Sequence, residues 1–510
     1  MWSSLRFGSA VASVYKAAMT PRDADALRKL IYPETYFVAM SPPELRLALL
    51  SRGYGFEPGR PLRYLELGFG SGFSLNVHAA ANEGEFWGND FVPAHVDGAA
   101  SIAAVSGADV RILPDSFADL LQRDDLPSFD IIAAHGIWTW VPDADRAAIV
   151  ALLERRLAPG GIFYVSYNNT AGWSSVVYLR QLMKLFLSQR RDAGIADAVA
   201  FARSLQAAGA AYFKENPSAA AELAAMGGRD PVYLQQEYFL DDWKLMSLAE
   251  MAEALRPAGL RFAAQFPLIA HDDELVLGAA GRALISNLQE PILRETVRES
   301  LQGMGFRQDV FVKQSTPLTE AERRDQFRRQ SFLLTVQPGN VMLKGGSPWG
   351  ELDLGARGCV PVIEAMANLG YAPHSIAELE TALPSMPVDD LISRLRLLAA
   401  VNVVRPALPA QAQQKTRTQC AALNSYILGT QNADGAVLAS PVLGAGVRVS
   451  PLERAFLAAY LRGRQSIAES GSAIELACAA ELRGRSGEAV AAAIQHESLP
   501  FFRAMGLIET

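Results

Sequence analysis

Several features are scarce in this chain of 510 residues, and each scarcity excludes a class of protein. It has three cysteines, none in C-x-x-C spacing, so neither a disulfide framework nor a structural zinc site is indicated. The net charge of −7 argues against nucleic acid or an anionic membrane as partner, because both select for excess lysine and arginine. No run of about eighteen apolar residues occurs, so no membrane span is expected and a cytoplasmic location is predicted.

The composition that remains is globular, with 50% hydrophobic and 20% charged residues, and the length suggests about two to four domains. Residues 60–175 alternate between strand-like and helix-like segments, which predicts a parallel α/β sheet. The five predicted strands end near Leu67, near Asp90, and at Leu113, Ala134 and Tyr167. Two more strands, Leu260–Phe266 and 309–313, are predicted as the antiparallel pair that closes the sheet.

One helix boundary is predicted from its terminating residues. The segment from Asp143 to Leu157 has apolar residues at helical spacing, which predicts a helix with one face on the sheet. Pro159-Gly160-Gly161 is expected to stop it, since proline cannot continue a helix and glycine accepts the left-handed cap.

The first strand runs into a turn in which glycine recurs at every second position, at Gly68, Gly70 and Gly72. Such glycines let the backbone pass close to a ligand, and Asp90 is placed to accept hydrogen bonds from ribose hydroxyls. A dinucleotide fold needs its third glycine one residue later, where the chain has Phe73. Glu66, before the turn, would repel a pyrophosphate but attract the methionine ammonium of S-adenosylmethionine (SAM). The pattern therefore predicts a SAM site rather than an NAD site.

Residues at the ends of the next strands are predicted to complete this site, because ligands bind at the carboxyl ends of parallel strands. Asp115 is expected to accept a hydrogen bond from the adenine amino group; the alternative is that it caps the helix that begins near Phe117. The predicted cofactor-binding set is Glu66, Gly68, Phe69, Gly70, Gly72, Asp90, Phe91, Asp115, Ser116, Phe117 and His135.

Methyl transfer from a sulfonium needs alignment and exclusion of water more than it needs a metal or a decisive catalytic group. Three residues are predicted to serve it: His135, Trp140 and Tyr167. The imidazole would take a proton from the acceptor, the indole would face a cation, and the phenol would shape the acceptor channel. The open alternatives are a histidine that orients a turn and aromatic rings that only pack. Asn168 either contacts the substrate or forms an Asx-turn, and Trp138 is assigned to packing.

Several stretches together resemble the bacterial class I SAM-dependent methyltransferases with a methyltransferase regulatory domain, including the rickettsial-type outer-membrane-protein lysine methyltransferases. The matching strings are Ala133-Ala-His135-Gly-Ile-Trp138-Thr-Trp140-Val-Pro142, Ala158-Pro-Gly-Gly-Ile-Phe-Tyr-Val-Ser-Tyr167-Asn168, Gly172-Trp173, Gln236-Glu237-Tyr238 and Phe306-Arg-Gln-Asp309-Val-Phe-Val-Lys313. The chain departs at Phe69, where the family has a small residue or cysteine, and at Ala171, where it has proline. Neither change removes a group needed for the chemistry, so cofactor binding is still expected.

The resemblance implies a Rossmann-like α/β methyltransferase sheet with a helical insertion and a mainly helical C-terminal region that includes a winged-helix-like unit. The predicted parts are an N-terminal helical segment over the cofactor site (1–60), the SAM-binding core (61–175), the insertion (176–258), the last strands (259–316), a linker (317–350), the winged-helix-like unit (351–408) and a C-terminal helical domain (409–510). Tyr32, Pro33 and Tyr36 lie in the first part. For the insertion, a substrate lid and a packing or dimerisation element stay equally open.

The acceptor that the resemblance implies is a protein lysine, attacked as the neutral amine, with His135 or water taking the proton. Two alternatives stay open: transfer to a saccharide or small metabolite, and a SAM-binding regulatory or scaffold protein. Nucleic acid is not expected, because Lys and Arg do not exceed Asp and Glu from residue 351 onward. A homodimer is considered on the basis of the insertion.

Overall fold

The computed structural model describes residues 35–190, 192–347, 350–430 and 435–508. Most of the predicted N-terminal segment, including Tyr32 and Pro33, lies outside the described residues. The described part of that segment has a short 3-10 turn, Val38–Met40, followed by the helix Pro42–Ser51.

A seven-stranded mixed sheet organises the first part of the chain. Its strands are β1 (Leu62–Leu67), β2 (Gly84–Asn89), β3 (Val110–Leu113), β4 (Phe129–Ala134), β5 (Leu157–Asn168), β6 (Leu260–Phe266) and β7 (Phe306–Lys313). Their spatial order is β3-β2-β1-β4-β5-β7-β6. Strands β1 to β5 pair in parallel, whereas β7 runs antiparallel to both β5 and β6. The predicted Rossmann-like α/β class is confirmed, including the antiparallel closing pair.

The two faces of the sheet bury separate apolar clusters. One face carries Tyr64, Ile131 and Tyr164 and is covered by the helices Pro42–Ser51, Phe73–Ala81 and Pro93–Ser106. The other carries Leu65, Ile132 and Phe163 and is covered by the helices Phe117–Gln122, Asp143–Arg156 and Leu248–Leu255. Alternation along each strand sends successive side chains to opposite faces, so each strand contributes to both clusters.

The helix before β5 ends within one residue of its predicted end, but Pro159-Gly160-Gly161 lies inside the following strand and does not stop the helix. The helix ends at Arg156, and Leu157 is already extended and paired with Phe129. The register then skips to Ile131 opposite Ile162, so the Pro-Gly-Gly sequence forms a bulge inside β5 rather than a helix stop. Lys313 stabilises this helix end, because its Nζ donates to the carbonyls of Leu153, Glu154 and Leu157 at 2.6–3.0 Å.

Helices fill the connection between β5 and β6, as predicted for the insertion. They are Thr170–Gln189, Ile195–Ala207, Ala211–Glu215, Pro217–Met226, Pro231–Leu234 and the π-helical turn Gln235–Phe239. These helices have an apolar cluster of their own, built around Leu179, Met183 and Leu223. Between β6 and β7 lie Asp273–Val276, Ala279–Ser286 and Pro291–Gln302.

The region predicted as a linker, 317–350, is not a bare connection. It contains the helix Glu320–Arg329, begun by a capping box between Thr319 and Glu322, and the strand Ser331–Leu334. The helix has one buried residue, Phe327, so its sequence lacks the apolar stripe that would have revealed it. The strand pairs with His374–Ser375 and Val404–Ala407 in a small antiparallel sheet.

The C-terminal region is mainly helical, as predicted. The first unit has the helices Val360–Leu369, Ile376–Ala382 and Val388–Ala400; its description as winged-helix-like stays a prediction. The helices that follow are Ala410–Gly429, Pro451–Leu461, Ile467–Cys478, Gly487–Ala493 and Leu499–Ala504, with a hairpin of Ala436–Ser440 and Ala445–Val449. The hairpin lies against a helix of the seven-stranded sheet, since Asn82 Nδ2, at the end of the helix Phe73–Ala81, donates to the Gly444 carbonyl at 2.7 Å. Among the described residues, none of the helices is long and apolar enough to cross a membrane.

Candidate active site

The glycine turn lies between β1 and the helix Phe73–Ala81. All three of its glycines have positive φ, at 61° for Gly68, 60° for Gly70 and 67° for Gly72, a region that side chains rarely allow. A Cβ at Gly72 would lie 2.4 Å from Ala99 Cβ, and one at Gly68 would lie 2.5 Å from Ile137 Cδ1. The turn therefore has no room for a side chain at Gly68 or Gly72. A turn of bare backbone is what close approach to a ligand requires.

Phe69, the departure within this turn, is directed into the core. Its side chain is only 7% exposed, and a Cβ at Gly88 would lie 2.8 Å from its Cδ1. The ring therefore fills space above β2 that Gly88 leaves free. Its backbone N–H donates to the Asn89 carbonyl at 3.1 Å and fixes the turn to the end of that strand.

Glu66, at the end of β1, has a buried carboxyl oxygen that no protein group satisfies in the described structure. It is 4% exposed, and its Oε2 is buried without a hydrogen-bond partner in the described structure. Burial raises the pKa of this carboxyl to about 8. An unpartnered buried carboxyl is costly, and a ligand ammonium beside it would relieve that cost. The residues present thus fit the methionine end of SAM.

Asp90, the predicted ribose acceptor, is buried at the end of β2. Its Oδ2 accepts from Gly70 N and its Oδ1 from Val92 N, both at 2.9 Å, and Oδ1 lies 3.3 Å from His95 Nδ1. The carboxylate therefore holds the glycine turn in place. Contact with ribose stays a prediction, made feasible by the second lone pair on each oxygen. Phe91 follows it and is partly exposed.

At the end of β3, Ser116 rather than Asp115 caps the following helix, because its side chain accepts from Asp119 N. Asp115 instead accepts from Arg123 Nη1 at 3.0 Å, and its carbonyl accepts from Asn89 Nδ2 at 3.0 Å. Phe117 is buried, with Cζ 3.7 Å from the position that a Cβ on Gly68 would occupy. The adenine-binding role of Asp115 stays a prediction.

His135 follows β4 and is partly exposed. Its Nδ1 lies 2.8 Å from the Tyr164 hydroxyl, which donates to Gln308 Oε1 at 2.9 Å. Because that hydroxyl has one proton, we infer that it accepts from Nδ1–H, which leaves the Nε2 lone pair free. Burial lowers the pKa of this imidazole to about 3, so it is neutral at pH 7. Phe37, from the N-terminal segment, stacks on the ring at 3.8 Å.

The structure places the other predicted catalytic residues differently. Tyr167 lies on the opposite face of the sheet from His135, and its hydroxyl donates to Asp309 Oδ2 at 2.5 Å. Trp140 is 7% exposed, while Trp138 is buried in the apolar cluster of that opposite face, as its packing assignment implied. The structure thus does not bring Tyr167 to His135, and its role in an acceptor channel stays a prediction without geometric support.

The adjacent asparagines Asn168 and Asn169, at the end of β5, make different contacts. Asn169 forms the Asx-type cap of the helix Thr170–Gln189, since its side chain accepts from Ala171 N at 2.8 Å. Asn168 instead donates from Nδ2 to Glu237 Oε1 at 2.9 Å. The Asx-turn alternative is therefore realised one residue later than the sequence suggested.

Sequence reasoning missed several residues of this site. Two of them contact His135 directly: Tyr164 by a hydrogen bond and Phe37 by ring stacking. Gln308 is connected to His135 through the Tyr164 hydroxyl, and Glu237 accepts from Asn168. Strand parity was an available signal for Tyr164, because β5 alternates faces and Tyr164 and Tyr167 are three residues apart. No group of three or more metal-ligating side chains occurs in the part of the chain that the structure describes.

Comparisons with known proteins agree with this geometry. Residues 65–161 match the family described as a methyltransferase domain, and residues 230–313 match the family described as a predicted methyltransferase regulatory domain. A protein of Synechocystis sp. is 29% identical over 445 residues, which are 84% of this chain and 86% of that protein. A protein of Rickettsia prowazekii is 27% identical over 177 residues, 34% of this chain and 32% of its own length.

Among solved structures, PKMT2 from Rickettsia typhi in complex with AdoHcy shares the fold. The TM-score is 0.67 at 16% identity, and the match covers 93% of this chain and 99% of that one. The family matches, together with the glycine turn and the unpartnered Glu66, identify the chemistry. The chain is a SAM-dependent methyltransferase with a methyltransferase regulatory domain.

Proposed function

We propose that this enzyme transfers the methyl group to the side-chain amine of a lysine in a protein substrate. The observation that carries the proposal is the extent of the likeness to PKMT2, which covers 93% of this chain and so includes the insertion and the C-terminal region. Acceptor choice in methyltransferases depends on regions outside the sheet, so a likeness in those regions bears on the acceptor. The resemblance of the motifs to lysine methyltransferases points the same way.

SAM, when bound, supplies a methyl carbon already activated by its sulfonium. The chain's own residues then have three tasks: binding, orientation and exclusion of water. The backbone of the glycine turn, with its positive φ angles, would hold the cofactor, and Glu66 would pair with its ammonium. His135, neutral and held by Tyr164, would face the acceptor with a free Nε2. The buried rings of Phe117 and Trp140 would keep water from the reacting atoms.

The test is methylation of bacterial lysate by the purified enzyme with methyl-labelled SAM, followed by separation of proteins from small molecules. Acid hydrolysis of the protein fraction should release labelled methyl-lysine. The Asp90→Ala variant, in which the glycine turn loses its anchor, should give no label. Label confined to the small-molecule fraction would refute the protein acceptor and support a saccharide or metabolite. Tight SAM binding without transfer to any fraction would instead favour the regulatory or scaffold alternative.

The remaining expectations stay predictions. Homodimerisation, a cytoplasmic location, the part boundaries and the lid role of the insertion each need their own measurement. The described residues of the N-terminal segment do approach the site, since Phe37 stacks on His135 and its N–H donates to Ser74 Oγ at 3.0 Å.

A further inference from the structure

Glu237 brings a carboxylate from the regulatory domain to the catalytic sheet. It lies in the π-helical turn Gln235–Phe239, a rare geometry that is frequent at functional sites. Its Oε1 accepts from Asn168 Nδ2 at 2.9 Å, at the carboxyl end of β5. Ligands of parallel α/β sheets bind beyond this end of the strands. The carboxylate is therefore placed at the ligand-binding edge of the sheet.

The sheet register connects this carboxylate to His135. Asn168 is paired with Phe306 across β5 and β7, so their side chains share a face. The Phe306 ring lies 5.9 Å from the His135 ring, edge to face. Ser166, on the same face of β5, accepts from Gly136 N at 2.6 Å. Glu237 and His135 thus border the same end of the same face.

A chain of aromatic rings begins at Tyr238, the residue that follows Glu237. The ring of Trp173 lies 5.9 Å from that of Tyr238 and 5.7 Å from that of Trp243. The two indoles are partly exposed. The guanidinium of Arg180 lies over the Trp243 ring at 4.5 Å, so one of these rings already has a cation on its face. A carboxylate close to aromatic rings is a combination that recognises an alkylammonium.

The charges around Glu237 leave it able to exchange a proton near neutral pH. Its pKa is raised to about 7: burial and Glu222 raise it, whereas the Asn168 hydrogen bond, Arg229 and Arg180 lower it. Arg229 and Glu222 are paired with one another at 2.5 Å, so neither is a full partner for Glu237. His135, by contrast, has a pKa of about 3 and is a poor acceptor for a proton from an ammonium.

We propose that Glu237 binds the ammonium of the acceptor side chain and accepts its proton before methyl transfer. The proposal rests on the proposed amine acceptor and names the residue that selects it. The carboxylate takes one proton from R–NH₃⁺, and the nitrogen lone pair forms the new C–N bond as the C–S bond breaks, with its electron pair left on sulfur. The product is R–NH₂⁺–CH₃, and Glu237 returns its proton to water, so no other reactant is needed.

The experiment measures binding of n-butylammonium, a mimic of the lysine side chain, to the enzyme saturated with S-adenosylhomocysteine. Calorimetry and the fluorescence of the nearby tryptophans report the binding, with n-butanol as the uncharged isostere. Glu237→Gln keeps an oxygen for Asn168 to donate to but removes the charge. Glu253→Gln is the matched control, because Glu253 is exposed in the same regulatory domain and paired with Arg256.

Butylammonium should bind the wild type and the control at least tenfold more tightly than Glu237→Gln, while butanol should not distinguish them. Affinity in the wild type should fall as the pH drops through about 7, and this dependence should be absent in the variant. Glu237→Asp should restore part of the affinity. No binding of butylammonium to the wild type, or equal binding to Glu237→Gln, overturns the proposal.

The two proposals fail separately. If lysate proteins acquire methyl-lysine but butylammonium binding does not depend on Glu237, the proton-accepting role is wrong and the lysine acceptor stands. If butylammonium binding depends on Glu237 but label appears only on small molecules, the ammonium site stands and the acceptor is a small amine.

Discussion

Strand β5 presents two tyrosines to opposite faces of the sheet, and their surroundings differ in how completely the polar groups are paired. On one face, the Tyr164 hydroxyl joins His135 to Gln308, and on β1 of the same face Glu66 Oε2 has no partner. On the other face, Tyr167 belongs to a buried hydrogen-bond network with Asp309, Arg307 and Glu299. Its donor and acceptor atoms are 2.5–3.1 Å apart.

The difference separates a structural polar cluster from a functional one. In the Tyr167 network, Arg307 donates to both oxygens of Asp309 and to Glu299, and Asn169 Nδ2 donates to Glu299 at 2.9 Å. Such a network is complete without a ligand. The opposite face keeps a partly exposed imidazole and an unpartnered carboxyl, which a ligand would complete.

Removing Arg307 should give the largest effect on stability. Arg307→Leu leaves the buried carboxylates of Asp309 and Glu299 without their cation, so we expect a loss of about 3–5 kcal/mol in the free energy of unfolding. Urea unfolding followed by circular dichroism measures it. The control is Arg261→Leu, an exposed position on β6, with an expected change of about 0.5 kcal/mol or less. A loss below about 1 kcal/mol at Arg307 would contradict the closed network.

Removing the charge of Glu66 should affect the cofactor rather than the fold. Glu66→Gln is expected to weaken SAM binding by about ten- to a hundredfold, equivalent to about 1.4–2.8 kcal/mol, because the ligand ammonium loses its partner. Glu85→Gln, a partly exposed position already paired with Arg63, should leave the affinity unchanged. Isothermal titration calorimetry measures both.

The pH dependence of Glu66 gives a second readout. Its folded-state pKa of about 8 lies above the unfolded value, so its contribution to stability is present at low pH and is lost as the pH rises through about 8. SAM binding draws the carboxyl to its charged form, so wild-type affinity should rise with pH up to about 8. In Glu66→Gln the rise in SAM affinity should disappear, and the loss of stability toward pH 8 should be smaller than in the wild type. A variant whose affinity still rises with pH, or whose stability falls as much as that of the wild type, would contradict the assignment to Glu66.

The sequence was sufficient for the sheet and for the cofactor turn, because apolar runs and glycine spacing are local signals. It did not reveal that Pro159-Gly160-Gly161 lies inside β5, because that assignment depends on pairing of the flanking residues with the distant strand β4. It could not assign Tyr167, since a polar residue at a strand end has the same local sequence whether it faces a ligand or a buried arginine. Glu237 belongs to one of the strings that resemble the family, but its contact with Asn168 spans 69 positions and depends on tertiary packing.

Shortening Phe69 should test whether the unusual residue of the glycine turn serves the core or the ligand. The ring is buried over Gly88, so Phe69→Leu should cost about 1 kcal/mol of stability and leave SAM affinity within about twofold. Thermal unfolding and calorimetry of the same preparation measure the two effects. A large gain in SAM affinity with unchanged stability would show instead that the ring obstructs the cofactor.

The most specific test compares Tyr164→Phe with Tyr167→Phe. Each variant loses one hydroxyl and should be destabilised by about 1–2 kcal/mol, so stability does not distinguish the two faces. The imidazole of His135 does: without the Tyr164 hydroxyl, its Nδ1–H loses its acceptor and the tautomer is no longer fixed. Nitrogen NMR of the histidine rings should therefore change in Tyr164→Phe and stay the same in Tyr167→Phe. Methyl transfer should slow only in Tyr164→Phe, because the Tyr167 hydroxyl is hydrogen-bonded to Asp309 and not to a residue of the site. Equal losses of activity in both variants would support a role for Tyr167 in the acceptor channel. They would contradict the distinction between a functional cluster on one face of the sheet and a structural cluster on the other.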